Sequence, residues 1–285
     1  MRGKNRAPYA RWFAEHTHSL EGKRVAVTGA TGGIGVELCR HLARLGAQLV
    51  LCNRTAAKAE ALAAQLGASV ASGAETAGAC GVLFLGVKPQ NMAETLAELA
   101  PVLQAHKPVL VSMAAGLTAA RIEELAGGGL PVMRIMPNTP VALGCGVVLY
   151  CKNDLLSPEQ EALLVQAMAA CGVVDPLEEH LMDAGAALCG CSPAFTDLYM
   201  EALADGGVAC GIPRAKALKY AAAAVAGAAQ LALTSGKHPG VLKDEVCSPG
   251  GSTIQGVRTL ENHAFRGAVM EAILTAAGAS GALGK

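Results

Sequence analysis

The sequence predicts an α/β domain built on a doubly wound, mainly parallel sheet, followed by an all-α domain. Three observations carry this. From residue 23 to about 177, short runs of Val, Leu and Ile alternate with stretches whose apolar residues fall at helical spacing. Beyond 177 no further β-branched run occurs, and helical segments follow one another. Hydrophobic residues make up 52% of the chain but aromatics only 3%, so the core must be built from Ala, Val and Leu, which suit close-packed helices and buried strands. The expected division is an arm at 1–20, an α/β domain at 21–178 and a helical domain at 179–285.

The strands are expected at Arg24–Thr28, Gln48–Cys52, 82–87, 109–113, 132–136 and 147–150. Each run is continuous rather than alternating, which fits strands covered on both faces. Between them, 35–45 and Ala56–Leu66 have helical periodicity, and the crossovers so formed should be right-handed. The second half offers helices at 179–188, 193–210, 213–234, Pro239–Val246, 252–261 and 263–277. Several open with Pro near the first helical position, and breaks fall at Gly211, Gly236 and Gly250. The stretch 221–229 is almost wholly Ala, Val and Gly. A helix apolar all round must be buried, and a subunit interface is the expected place. The most lipid-like window, 220–233, contains Gln230 and falls short of the roughly 20 residues of a membrane span.

Lys plus Arg and Asp plus Glu both number 23, so no basic excess asks for nucleic acid. The opening Met1-Arg-Gly-Lys-Asn-Arg6 is basic without an apolar run behind it, unlike a secretory signal. Ten cysteines show no C-x-x-C spacing. Free buried thiols in a reducing cytoplasm are expected, with no metal, no membrane and no nucleic acid as partner.

At the end of the first strand stands Thr28-Gly29-Ala30-Thr31-Gly32-Gly33-Ile34-Gly35. Glycines between a strand and a helix let the turn close and let a pyrophosphate approach the helix N-terminus. Thr28, Gly29, Gly33, Ile34 and Gly35 are therefore candidate cofactor residues of a Rossmann-type domain. The second strand ends in Asn53-Arg54-Thr55, where an acidic residue would hold the ribose 2′-hydroxyl of NAD. Neutral donors with a guanidinium suit a 2′-phosphate, so NADPH is expected over NADH; a solvated loop charge is the plainer reading of Arg54. Two more strand ends complete the candidate set: Val87, Lys88 and Pro89, then Ala114, Ala115 and Gly116. Ligands bind beyond the carboxyl ends of such strands, and the small residues at 114–116 would let a nicotinamide lie against backbone.

The most distinctive segment is Val246-Cys247-Ser248-Pro249-Gly250-Gly251-Ser252-Thr253-Ile254-Gln255-Gly256. It places hydroxyls around a Pro-Gly-Gly turn that opens a helix, whose first amides have no internal partner. That makes a small anion site; alternatively, the hydroxyls merely cap the helix, and chemistry alone does not separate the two.

This segment resembles the signature of pyrroline-5-carboxylate reductases. Four other blocks match that family in order and spacing: Val87-Lys88-Pro89-Gln90; Ala114-Ala115-Gly116; Arg134-Ile-Met-Pro137-Asn138-Thr139-Pro140; and Ser192-Pro193-Ala194-Phe195 with Glu201 to Gly211. The similarity runs from about 53 to 277. Residues 1–52 instead resemble short-chain dehydrogenases, through Thr28-Gly29, Gly33 and Gly35 and the preceding Leu20-Glu-Gly-Lys23. The chemistry of those enzymes needs a Tyr with a Lys four residues on. Here the residues four after Tyr9, Tyr150, Tyr199 and Tyr220 are Phe13, Asp154, Leu203 and Ala224.

The resemblance implies an NAD(P)-binding Rossmann domain joined to a helical substrate and dimerisation domain, a homodimer, and assembly of dimers into decamers. It implies reduction of 1-pyrroline-5-carboxylate to L-proline, with Gly250, Gly251 and Ser252 gripping the substrate carboxylate. Of the two catalytic candidates, Thr253 would hydrogen-bond the ring nitrogen or keep it protonated, and Ser248 would support the loop or the carboxylate. Arg134 and Asn138 would brace the junction between domains, and His238 would cap or pack in its turn. Two other outcomes stay open: reduction of a different cyclic imine, such as a six-membered homologue, and, through the departure at 1–52, a nucleotide-binding regulatory protein without activity.

Overall fold

The computed structural model describes residues 19–53, 55–78 and 80–282, so the arm at 1–20, apart from its last two residues, and Arg54 lie outside the described residues. The chain forms two compact units, one of residues through Gly190 together with those from Ala277 on, the other Cys191–Ala276.

The first unit contains β1 (Arg24–Thr28), α1 (Gly33–Arg44), β2 (Gln48–Cys52), α2 (Ala56–Leu66), β3 (Ser69–Val70), α3 (Gly73–Gly78), β4 (Val82–Leu85), α4 (Pro89–His106), β5 (Val109–Ser112), α5 (Ala119–Leu125) and β6 (Val132–Pro137). Then come β7 (Gly146–Lys152), α6 (Pro158–Met168), β8 (Gly172–Pro176) and the short α7 (Met182–Gly185), which a single π-turn, Ala186–Cys191, links onward. The strands form one sheet in the order β3-β2-β1-β4-β5-β6-β7-β8. Neighbours pair in parallel except β6 with β7. The first six strands thus have the doubly wound order 3-2-1-4-5-6, which reverses direction between β1 and β4.

The strand runs are continuous because both faces are covered. Val25 and Val27 of β1 join one core, with Leu38 and Leu42 of α1 and Leu164 of α6, while Ala26 joins the other. Phe84 and Val111 share the first core; Leu83, Leu85 and Leu110 share the second with Met92, Leu96 and Leu103 of α4. Two strands were not expected. β3 has two residues, both exposed, and β8 is an edge strand in which Val173 is 52% exposed. Neither presents an apolar run. β4 also stops at Leu85, two residues before the expected end, because Gly86 turns away after donating to Thr28 O at 2.9 Å.

The second unit is helical: α8 (Ser192–Ala209), α9 (Arg214–Ser235), α10 (Pro239–Val246), α11 (Ser252–Asn262) and most of α12 (Phe265–Ala282). α8 and α9 are joined through Gly211 at φ +89°, a left-handed conformation suited to glycine. They meet through Ala204, Ala217 and Ala221, with Val208 beside them. Leu198, Leu231, Leu233, Met270 and Leu274 are all more than half exposed. α9 has 22 residues, longer than the window expected from sequence, and is long and apolar enough to cross a membrane by length and composition. Arg214, Lys216 and Lys219 lie in its first two turns.

Candidate functional site

The first candidate region lies where the sheet reverses direction. Thr28 ends β1 with its Oγ1 donating to Phe84 O at 3.2 Å, tying β1 to β4. Gly29 follows at φ +64°, and a Cβ there would overlap the carbonyl of Gly86. A Cβ on Gly86 would in turn lie 2.5 Å from Thr28 O, and one on Gly35 would lie 2.7 Å from Gly29 O. Three glycines therefore let the β1 turn, the end of β4 and the start of α1 interlock through bare backbone. Gly32, whose amide donates to Gly29 O at 3.1 Å, is the N-cap of α1 and has no side chain to offer the helix amides. The N-terminus at Gly33, Ile34 and Gly35 keeps its partial positive charge for an anion. Of the sequence candidates, Thr28, Gly29, Gly33, Ile34 and Gly35 all fall in this turn. Gly32 also lies in this turn and is not among the sequence candidates; the doubled glycine at 32–33 was visible, but which of the two caps the helix was not.

β2 ends beside the same turn, where Ala30 N donates to Cys52 O at 3.5 Å. Asn53 Nδ2 donates to Thr55 O at 3.2 Å and closes the corner before α2. Thr55 is the N-cap of α2, exposed, with no side-chain bond to the helix amides. Val87 follows β4, Lys88 is the exposed N-cap of α4, and Pro89 is its first helical residue. After β5, buried Ser112 accepts the Ala114 amide on its Oγ at 3.3 Å. Ala114 is buried, Ala115 is half-buried, and Gly116 sits at φ +75°. Met113 N donates to Leu85 O at 3.4 Å, holding the ends of β4 and β5 level. The candidates at 53–55, 87–89 and 114–116 thus follow the carboxyl ends of β2, β4 and β5, which with β1 between β2 and β4 are consecutive in the sheet, with Arg54 outside the described residues.

The second candidate region is the entry to α11. Gly251 N donates to Ser248 O at 3.0 Å across Pro249 and Gly250, and Gly250 has φ +70°. This is a type II turn, with Pro and Gly at the two positions that favour them. Gly251 is the N-cap, so no side chain covers the first amides of α11. The side chains of Ser248, Ser252 and Thr253 are exposed and make no hydrogen bond among the described residues. The capping alternative therefore has no bond to rest on. Upstream, His238 accepts the Gly240 amide on Nδ1 at 3.1 Å and caps α10.

The Arg134–Pro140 block has a separate role. Arg134, 2% exposed, donates to Glu179 Oε1 at 2.7 Å and to Asp183 Oδ1 at 3.1 Å. Glu179 Oε2 also accepts the Ala119 amide at 3.1 Å. Burial, and then the Glu179 carboxylate, push the Cys151 thiol up to about 12. Asn138 donates to Cys189 O at 3.0 Å and accepts from Val147 N at 2.9 Å. Both residues tie the end of β6 to the connecting segment at 179–191. All ten cysteines are free.

Comparison with known proteins finds matches to both parts of the chain. A family model described as pyrroline-5-carboxylate reductase dimerisation matches residues 179–283. One described as NADP oxidoreductase, coenzyme F420-dependent, matches residues 24–116, so the part that resembles short-chain dehydrogenases belongs to the same Rossmann fold as the strands after it. The chain is 43% identical over 196 residues to a pyrroline-5-carboxylate reductase of Glycine max, covering 69% of this chain and 71% of that one. It is 39% identical over 217 residues to that of Escherichia coli strain K12, covering 76% and 80%. Among solved structures, pyrroline carboxylate reductase of Plasmodium falciparum with NADP bound superposes at TM-score 0.82 with 27% identity, covering 93% of this chain and 100% of that one.

Proposed function

The chain belongs to the pyrroline-5-carboxylate reductase family, and from that premise we propose how its residues divide the work of the reaction. It is an oxidoreductase that reduces 1-pyrroline-5-carboxylate to L-proline with NADPH. The α/β half, 21–178, holds the dinucleotide, and the helical half, 179–285, holds the substrate and the second subunit.

Thr28, Gly29, Gly33, Ile34 and Gly35 cradle the pyrophosphate. The support is a glycine-lined turn that brings bare backbone to an uncapped helix N-terminus. Asn53, Arg54 and Thr55 receive the 2′-phosphate, in keeping with the lack of a carboxylate after β2. Val87, Lys88, Pro89, Ala114, Ala115 and Gly116 border the nicotinamide half. The observation that carries the substrate assignment is the turn at 248–251. It leaves the first amides of α11 without a side-chain cap and three hydroxyls without partners among the described residues. Gly250, Gly251 and Ser252 bind the imino acid's carboxylate there, while Thr253 Oγ1 hydrogen-bonds its ring nitrogen and Ser248 steadies the loop.

A protonated cyclic imine is already a good electrophile. When bound, NADPH supplies a hydride to the C=N carbon; the nitrogen keeps its proton, and proline is the product. The residues named have only to position and to hold that proton, which is why no acid–base dyad is required. Ten free thiols support a reducing compartment, the cytoplasm. The dimer would assemble further, into a decamer.

The test is NADPH oxidation with 1-pyrroline-5-carboxylate, run beside NADH and a six-membered imine. Higher kcat/KM with NADPH and with the five-membered ring is expected. A preference for NADH would remove the role of 53–55, and turnover confined to the larger ring would overturn the substrate.

A further inference from the structure

We propose that Glu179 is a positioning residue for hydride transfer, its carboxylate clamping the far end of the loop at 113–118. The inference rests on the reading that Ala114, Ala115 and Gly116 lie against the nicotinamide. β5 ends at Ser112 and α5 begins at Ala119, with the loop between them. The near end is fixed locally: Ser112 Oγ accepts the Ala114 amide at 3.3 Å, and Met113 N donates to Leu85 O at 3.4 Å. The far end is fixed from a distance. The Ala119 amide is one of the helix's orphan donors, and α5 has no acidic residue in its first turn. Thr118, the N-cap, takes the Arg121 amide at 3.1 Å instead. Glu179, 60 residues on, accepts the Ala119 amide on Oε2 at 3.1 Å and Arg134 Nη1 on Oε1 at 2.7 Å. One carboxylate thus spans a loop amide and a buried guanidinium.

The guanidinium makes Glu179 a fixed point. Ser112, Arg134 and Cys151 pair in register across β5, β6 and β7, so their side chains share one face of the sheet. Two residues back on that face, Leu110 and Val132 lie in an apolar core. A charge at such a place must be paired, and Arg134 is held by Glu179 and by Asp183 Oδ1 at 3.1 Å. The Cys151 thiol adds no charge, because burial and then Glu179 push it up to about 12. Asp183 by itself neutralises Arg134. What Glu179 adds, and Asp183 does not, is the bond to the loop. Hydride transfer depends on such placement, since a displacement of about 1 Å at the reacting atoms can cost on the order of 100-fold in rate.

The test separates the nicotinamide from the rest of the dinucleotide. Calorimetry gives Kd for NADPH and for 2′-phospho-ADP-ribose, which lacks the ring. Glu179→Gln leaves one acceptor oxygen for two donors. It should weaken NADPH about 10-fold, the order of one charge-assisted hydrogen bond, and bind the ring-less ligand as the parent does. Its kcat should fall about 10- to 100-fold, with KM for the imino acid within about twofold of the parent. Glu179→Asp keeps the charge beside Arg134 but is one methylene short of Ala119. It should repeat the selective loss, which keeps the test decisive if the Gln variant does not fold. Asp183→Asn takes a carboxylate from the same guanidinium and nothing from the loop, so it should bind both ligands like the parent. Equal loss of both ligands, no loss in a folded Glu179 variant, or the same loss in Asp183→Asn would reduce the pair to a support of the fold and overturn the inference. Ala115→Leu tests the underlying reading separately: it should weaken NADPH and spare the ring-less ligand. If it spares both, the loop does not meet the ring, and the reading falls together with the inference.

Discussion

At the scale of single residues, position and stability separate cleanly. Thr253 is exposed and its hydroxyl makes no bond among the described residues, so its removal should leave the fold untouched. Thr253→Ala is expected to lower kcat by about 10- to 1,000-fold, the range for losing one positioned hydrogen-bonding group, with stability within about 0.5 kcal/mol of the parent. Steady-state kinetics beside urea denaturation checks both halves, and parental turnover would take Thr253 out of the site. The glycines of the β1 turn behave in the opposite way. Gly29→Ala must place a Cβ against the Gly86 carbonyl at φ +64°, and a loss of about 2–3 kcal/mol or more is expected. Gly32 sits at φ −69°, and a Cβ there would find nothing nearer than Gly29 O at 3.6 Å. Gly32→Ala should therefore fold normally and show its effect as a raised KM for NADPH. Thermal melts and cofactor titration of the two variants distinguish a glycine needed by the fold from one needed by the ligand.

At the scale of elements, the contact between α1 and the last turn of α6 carries a pH dependence. His41 of α1 is 5% exposed and its Nε2 lies 3.1 Å from Ala167 O. Burial lowers its pKa below the usual 6.5; the bond to Ala167 works against this and Arg44 adds to it. The unfolded chain thus takes up a proton that the folded chain resists. The contribution of His41 is present in full above 6.5 and is lost as pH falls from 6.5 through the lowered folded value. Unfolding free energy should fall more steeply between about pH 7.5 and 5.5 in the parent than in His41→Asn, as urea titrations at each pH would show. A parallel fall in both would assign the dependence to other groups. The same scale explains what the sequence disclosed. Strands β1, β2, β4, β5 and β6 were legible because burial on both faces demands unbroken apolar runs. β3 and β8 were not, because edge strands that face solvent need no such run. The turn at 248–251 was legible because Pro and Gly dictate its backbone locally. The partners of Arg134 were not, since Glu179 and Asp183 lie 45 and 49 residues away and no periodicity links them.

At the scale of the whole molecule, the helical unit leaves an imbalance that only association can remove. Within Cys191–Ala276 the buried apolar residues are Ala204, Ala217 and Ala221, three small side chains for a unit of several helices. Leu198 at 68%, Leu233 at 75% and Leu274 at 66% exposure face outward instead. At about 25 cal/mol per Å² of apolar area, covering such side chains is worth roughly 1.5–3 kcal/mol each, more than three alanines supply. Obligate dimers bury such area in interfaces of about 2,000 Å² or more, and residues 179–283 match a dimerisation model. An apolar helix such as α9 thus has a place to go that is not a lipid bilayer. Folding and association should consequently be linked. The thermal midpoint should rise with protein concentration, as mass action requires when the dimer is the folded species. Leu274→Asp should weaken the dimer, lowering the midpoint at a fixed concentration and steepening its dependence on dilution. Sedimentation velocity over a hundredfold dilution gives the mass beside the melt. A midpoint independent of concentration, together with a folded monomer, would mean that these leucines are covered some other way.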